Sequence, residues 1–485
     1  MALGHESFGL FGVVGSLVLF VSFINVQFSA ALSRFYAFSI GKANAATDKI
    51  RAISECREWF TTGVMIHTIL PLLLIILGYP LGKMVIMSGW LTIPEERVAI
   101  CVWLWRFAMI SCFISMVNVP FQAMFTAKQY IAELTAYSMI QVLFRTGFVY
   151  YMTTIDKDWL LGYGFAMCII AIVPQMVICI RAIKVFPECR MLLSSMMSSK
   201  RIKQLASYAG WQAFGGIGYL ARHQCLQIIV NKIFGPKVNA AYTVGSTVGG
   251  EAAALTGALN GAFGPAVTTA YGEGNLQRMT KLAYTASKFG TFLTMIFAVP
   301  LGLEISEVLK IWLKHPPKYA ESLCLCWLVV VVLEKLSLGQ GQAIRAVGKV
   351  ALFQLFRGTA CLTAIPLSVV SILICRQPYM VCVALIITTS LACLSDVFVA
   401  RLYTGLSARY WLRSIVLPLC CIAVVGILSG ICLQAILTQS LMRLAVVTFC
   451  SISLMCISAW NILFDAEDRL YLTFKVKGYI KNLGV

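Results

Sequence analysis

The sequence predicts an all-α polytopic membrane protein, and three observations carry that prediction. Apolar stretches long enough to cross a bilayer recur along the whole chain of 485 residues. Only 12% of the residues are charged and 59% are hydrophobic, with a mean hydropathy of +0.84. A soluble domain carries about 25% charged residues. Lys and Arg fall mostly in short segments between the apolar stretches, so the net charge of +19 is read as orientation in a membrane and not as affinity for nucleic acid.

A hydrocarbon core of ~30 Å needs about 20 apolar residues per helix. On that measure thirteen spans run at about 10–32, 58–80, 98–124, 135–155, 160–181, 206–234, 239–271, 282–303, 321–345, 351–374, 380–403, 412–436 and 441–463. The first is about 23 residues long with nothing basic before it, too long for the ~7–15 apolar residues of a signal peptide. "SRFYAFSIGKANAATDKIRAISECR", after the first span, is basic, and "KMVIMSGWLTIPEER", after the second, is balanced by two glutamates. Segments after odd-numbered spans hold about 23 Lys/Arg and those after even-numbered spans about nine. The odd segments and the tail "DRLYLTFKVKGYIKNLGV" are therefore expected in the cytoplasm.

An internal repeat organises the spans. Shifting the sequence by 231 residues sets Gly4 on Gly235, Gly41 on Gly272 and Asn44 on Asn275. Both copies run from an outer loop through a helix to an inner loop, so the repeat is parallel. The second copy is preceded by a helix, "ASYAGWQAFGGIGYLARHQCLQIIVNKIF", for which the first has no counterpart. The expectation is a fourteen-helix protein whose first helix, about 30 residues, lies upstream of Met1. Its parts are an N-terminal lobe over 1–204, a C-terminal lobe over 205–411, and an extra helix pair with a basic tail over 412–485.

No enzyme signature is present. There is no G-x-x-x-x-G-K-[ST] phosphate loop, no H-E-x-x-H and no nucleophile elbow, and "GQGQAI" at Gly339 follows no strand. His5, His67, His223 and His315 are dispersed and the eighteen cysteines show no paired spacing, so neither a metal nor a disulfide framework is expected.

The run "NKIFGPKVNAAYTVGSTVGGEAAALTGALNGAFGPAVTTAYGEGNLQRMTKLAY" resembles the polysaccharide flippases of the multidrug/oligosaccharidyl-lipid/polysaccharide (MOP) superfamily, in particular the lipopolysaccharide or O-antigen (Wzx-type) branch. "IPEERVAICVWLWRFAMISCFISMVNVPFQAMFTAKQY", "LKIWLKHPPKYAE" and "LGHESFGLFGVVG" fit the same pattern, which fades over the last hundred residues. The resemblance implies two helical lobes around a central cavity in the bacterial inner membrane. It also implies an alternating-access flippase that turns an undecaprenyl-pyrophosphate-linked oligosaccharide from the cytoplasmic to the outer leaflet. The expected partners are that lipid-linked oligosaccharide, membrane lipids, and a polysaccharide polymerase or glycosyltransferases. The chain is expected to act as a monomer, with no cofactor beyond a coupling H+ or Na+.

Charges inside spans are the informative residues, because each costs at least ~2.5–3.5 kcal/mol at mid-bilayer. Arg106, Arg145 and Arg222, with Lys335, give a basic interior, and the arginine fork suits phosphate. These four are the candidate substrate-binding residues. Glu251, Glu334 and Asp396 are the candidate ion-coupling acids. Asn118, Gln122, Gln141, Gln212, Gln227 and Asn260 are available for sugars. A structural pair between Arg222 and Glu251 on adjacent helices is an alternative use of both. His223 reads as a core histidine, and Lys288, Arg357, Arg401 and Arg443 as snorkelling cations at span ends. Gly245/Gly249 and Gly257/Gly261 have the spacing of close helix packing. Two rival functions remain: a cation-coupled drug or metabolite antiporter of the same superfamily, and a membrane glycosyltransferase or polymerase, for which the short outer loops leave little room.

Overall fold

The computed structural model describes residues 11, 19–47, 49–89, 93–152, 159–191, 198–466 and 469. Gly4 of the repeat and the basic tail over 470–485 lie outside the described residues, as does the side chain of Asn260. The described chain is all-α, with no strand among these residues. In chain order the helices are α1 (Leu19–Ala45), α2 (Lys49–Met87), α3 (Glu95–Ala127), α4 (Ile131–Met152), α5 (Leu160–Val185), α6 (Ser199–Phe234), α7 (Pro236–Leu255) and α8 (Gly257–Gly272). They continue with α9 (Leu276–Leu303), α10 (Ile305–Leu313), α11 (Ala320–Leu336), α12 (Leu338–Val347), α13 (Val350–Cys375) and α14 (Met380–Thr404). The last two are α15 (Ala408–Ile436) and α16 (Leu441–Ile462).

Among the described residues, eight helices are long and apolar enough to span a membrane, and the bent pair α11–α12 makes nine. The other four expected spans, at 10–32, 135–155, 206–234 and 239–271, coincide with α1, α4, α6 and α7–α8 where they are described. The protein is thus a multi-pass membrane protein. Three expectations need correction. The segment read as the first inner loop is helical to Ala45 and again from Lys49, because the spans continue as helix past their apolar part. The span at 239–271 is interrupted at Thr256. The span at 321–345 bends by 42° between α11 and α12, at Ser337.

Two compact units divide the chain. The first comprises Met1–Ala213 with Thr268–Leu276. Here α2 and α3 pack on each other and on α1, and α5 packs on α3. Phe60 is fully buried, its ring 5.2 Å from Phe121 and 6.3 Å from Tyr36. Trp59 stacks on Phe35 at 4.1 Å and is 7% exposed, so it belongs to the core although it lies near the end of an apolar span. Charged contacts fasten one end of the bundle. Lys128 pairs with the buried Glu188 at 2.7 Å, Arg57 donates to the Pro187 carbonyl at 3.0 Å, and Arg201 pairs with Glu58.

The repeat has a physical counterpart in this unit: its matched residues meet. A Cβ on Gly41 would strike the Thr269 carbonyl and come within 3.0 Å of the Gly272 Cα, and one on Gly272 would strike the Phe38 carbonyl. Asn44 donates to Glu273 at 3.1 Å beside this contact. Backbones this close admit only glycine.

The second unit comprises Phe214–Val267 and Gln277–Val485. In it α7 packs on α11, α14 on α11, α12 and α13, and α15 on α16. Gly245 and Gly249 lie against Leu323, Trp327 and Val331 of α11, as their spacing predicts, whereas Gly257 faces open space. The final helix is fixed by ion pairs at both ends. Arg443, at the start of α16, bonds Glu304 at 2.8 Å, and Gln434 donates to Glu304 at 3.2 Å and to the Leu303 carbonyl at 2.6 Å. Lys288 of α9 bonds Asp465, just past α16, at 2.6 Å, and Phe464 stacks on Phe289 at 4.9 Å. Lys288 and Arg443 are therefore not snorkelling cations. Lys288 is 3% and Arg443 9% exposed, and each has its own carboxylate.

Two predictions follow from this packing. Glu304 is 1% exposed, so Glu304→Ala strands the Arg443 charge and should destabilise the protein by about 3–5 kcal/mol. The double variant Glu304→Leu/Arg443→Met, which removes both charges, should recover most of that loss, and thermal unfolding in detergent measures both. Gly339 sits with its Cα facing the Ala283 carbonyl, leaving no room for a Cβ. Gly339→Val should lower the unfolding temperature by the equivalent of about 1–3 kcal/mol or more, through overpacking.

Candidate functional site

The deepest concentration of charge lies within the second unit. It is assembled by α6, α11, α12, α13 and α14. Its geometry begins with two small residues. Gly218 of α6 and Gly358 of α13 approach so closely that a Cβ on the first would lie 2.9 Å from the carbonyl of the second. Arg222 stands one turn beyond Gly218, and Arg357 precedes Gly358. The close approach brings both guanidinium groups into one region.

Arg222 is 3% exposed. Its Nη2 donates to Glu334 Oε1 of α11 at 3.0 Å, its Nη1 donates to the Thr389 hydroxyl of α14 at 3.4 Å, and its guanidinium lies 5.0 Å from the Tyr219 ring centroid. Its Nε is buried with no acceptor. Asp396 of α14 is 1% exposed. Its Oδ2 accepts from the Ser337 hydroxyl at 2.7 Å and faces Arg357 Nε at 3.7 Å, while its Oδ1 is buried without a donor. Lys335, 9% exposed, lies within electrostatic reach of Glu334 and Arg357 and makes no hydrogen bond or ion pair among the described residues. Arg345 of α12 reaches Asp396 electrostatically. Four cations thus face two carboxylates.

The break between α11 and α12 positions the acids. α11 ends at Leu336, whose carbonyl accepts from the Trp411 indole at 2.9 Å. α12 then docks on α9, the Gly339 amide donating to the Ser287 hydroxyl at 2.9 Å and that hydroxyl donating to Gln340 at 2.9 Å. Ser337 between the helices is left facing Asp396. Backbone freed by a break at membrane depth must be satisfied inside the protein, and here it is.

Of the candidates named from sequence, Arg222, Lys335, Glu334 and Asp396 are brought together. Arg222 pairs with Glu334 at 3.0 Å and not with Glu251, so the alternative of a structural Arg222–Glu251 pair does not hold. Glu251 is exposed on α7 and makes no ion pair among the described residues. Arg106 lies in the first unit, where it donates to the Tyr79 hydroxyl at 3.0 Å and stacks 4.3 Å from the Trp103 ring centroid. Arg145 is exposed on α4 without a partner among the described residues. Asn118 and Gln122 converge on Gln175 Oε1, the second at 2.7 Å. His223 stacks on Trp327 at 5.0 Å, a core histidine.

Sequence reasoning missed Arg357, Arg345, Ser337 and Gln175. Arg357 lies two turns into α13, deeper than a snorkelling residue, and that depth is the signal that marks it. The break at Ser337 is signalled only by the glycines of "LGQGQ".

Neither a family model nor a curated protein matches the sequence. Solved structures do match in fold. An outward-facing multidrug-resistance MATE-family transporter of the MOP superfamily superposes with a TM-score of 0.67 at 14% identity, over 83% of this chain and 89% of that one. A MATE protein in its bent conformation gives a TM-score of 0.68 at 14% identity, over 83% and 88%. A MOP-superfamily transporter from Pyrococcus furiosus, described as having a binding pocket of reversed polarity that suggests a different function, gives 0.65 at 16% identity, over 83% and 89%. The chain has the fold of the MATE transporters of the MOP superfamily.

Proposed function

We propose that the chain is an alternating-access transporter of an anionic, lipid-linked substrate, and that an oligosaccharide carried on undecaprenyl pyrophosphate is that substrate. The observation that supports this reading most is the polarity of the charged cluster in the second unit: Arg222, Lys335, Arg345 and Arg357 against Glu334 and Asp396. A site built to bind organic cations carries the opposite balance. An excess of cations held away from water suits phosphate, and arginine binds phosphate through two donors at once. The amides around Gln175 in the first unit have the donors and acceptors that sugar hydroxyls need.

On this reading the protein sits in the bacterial inner membrane with its C-terminus in the cytoplasm, receives its substrate from glycosyltransferases and passes it to a polymerase. Arg106, Arg145, Arg222 and Lys335 contact the anion or its sugars. Glu334 and Asp396 are the acids that respond to H+ or Na+, with Glu251 a third that stands apart on α7. A cation-coupled drug or metabolite antiporter is the second reading, supported by the fold matches to multidrug transporters.

Complementation separates the two. In a strain lacking its polysaccharide flippase and supplied with the cognate sugar pathway, the chain should restore surface polysaccharide. Arg222→Gln and Arg357→Gln should each cut that restoration by about tenfold or more, as expected when a charge-assisted phosphate contact of ~1.5–3 kcal/mol is lost. Drug resistance conferred by the chain, with no polysaccharide export, would instead establish the antiporter.

A further inference from the structure

The two acids of the cluster hold different positions relative to its cations, and several of its donors are without an acceptor. Arg222 Nε is buried without an acceptor, and Lys335, 9% exposed as a residue, makes no hydrogen bond or ion pair among the described residues. Arg357 meets Asp396 only at 3.7 Å and has no other ion pair among the described residues. A buried donor without an acceptor, such as Arg222 Nε, is costly and rare in proteins. With the cations in excess, it marks a place for an added acceptor, and the cluster is partly exposed at Glu334, 20%, and Arg357, 31%.

We infer that Glu334 and Asp396 are internal counter-ions that an incoming phosphate anion displaces, so that the anion and a proton occupy this cluster together. The inference rests on the anionic-substrate reading above and fixes its linkage. In the structure the Glu334 carboxylate holds Arg222 and the Asp396 carboxylate faces Arg357. A phosphate group entering between Arg222, Lys335 and Arg357 brings negative charge beside both carboxylates. Like charges at short range favour protonation of the weaker-held acid. Asp396 has an Oδ1 without a donor, and a proton there turns an unsatisfied acceptor into a hydroxyl. By reciprocity, protonation of either acid strengthens anion binding by the same factor by which the anion strengthens that protonation.

The other titratable groups facing the two acids are neutral or cationic. Tyr219 and His223 come from α6, Cys361 from α13 and Cys393 from α14, while the cations come from α6, α11, α12 and α13. None supplies a competing negative charge. The sign is therefore co-occupancy, the opposite of the mutual exclusion by which a proton antiporter of organic cations works.

The test is binding of two probes, inorganic pyrophosphate and farnesyl pyrophosphate, to the full chain in detergent at fixed pH, with thermal unfolding as a folding control. Glu334→Gln should bind pyrophosphate about tenfold more tightly than the unaltered protein, because one competing unit charge is removed. Asp396→Asn should act in the same direction, and Arg357→Gln should weaken binding by about tenfold. Calorimetry in buffers of different ionisation enthalpy should show more proton uptake per anion for the unaltered protein than for Glu334→Gln/Asp396→Asn. Tighter binding of farnesyl pyrophosphate than of inorganic pyrophosphate would identify a lipid headgroup as the source of the anion, and equal affinities a free phosphate. Anion binding that is unchanged or weakened in folded Glu334→Gln overturns the counter-ion inference alone. Absence of binding by every form overturns both it and the anionic-substrate reading.

Discussion

A charge held inside a membrane span needs a partner in the protein, and the second unit is organised around that constraint. Water is not available to solvate Arg222, Asp396, Lys288, Arg443 or Glu304 where they sit, so each is placed against an opposite charge or a hydroxyl. The pairs fall into two groups. Arg443–Glu304 and Lys288–Asp465 join α16 to α9 and its flanks at two ends, and both are short, at 2.8 and 2.6 Å. The cluster of α6, α11, α12, α13 and α14 is looser and over-supplied with cations. Closed pairs with matched charge hold helices in register, whereas an unmatched cluster is a poor staple and a good receptor.

Small residues set how near those charges come. Where Gly218 meets Gly358, helices α6 and α13 are in backbone contact, which places Arg222 and Arg357 within one polar region instead of on separate lipid-facing surfaces. The same device appears in the first unit at Gly41 and Gly272. Those two glycines are related by the sequence repeat, so the segments that correspond in the two copies are also segments that touch. A parallel repeat brings equivalent positions together when its copies are related by an axis along the membrane normal.

The all-α fold and the positions of the spans were legible because hydropathy reports them directly. The repeat glycines were legible because close backbone contact tolerates no other residue. Which charges pair was not, since helix neighbours in space are not neighbours in sequence. Glu251 lies nearer to Arg222 along the chain, yet Glu334, over a hundred residues away, takes the pairing. Arg357 is not legible as a site residue because distance along a span is a poor measure of depth: two turns into α13, its guanidinium faces the buried Asp396 of α14. The place of Arg106 within a span follows from sequence, whereas its aromatic setting against Trp103 and Tyr79 does not follow from sequence spacing. Asp396 stands out in the sequence because an acid in an apolar run has few structural uses, and the structure places it against Ser337 and Arg357.

The bend at Ser337 explains why the cluster collects where it does. α11 ends and α12 begins within one residue, so the negative end of one helix dipole lies beside the positive end of the other. Lys335 is in the last turn of α11, where a cation is favoured, and Ser337 at the start of α12 holds Asp396, where an anion is favoured. A continuous helix through 320–347 would offer neither end, and the Lys335 and Asp396 charges would rest on ion pairs alone. The bend supplies backbone fields that hold a lysine and an aspartate in the membrane without requiring them to neutralise each other. That independence lets Lys335 remain without a bound carboxylate, and it is the physical condition for a cluster that accepts an anion from outside.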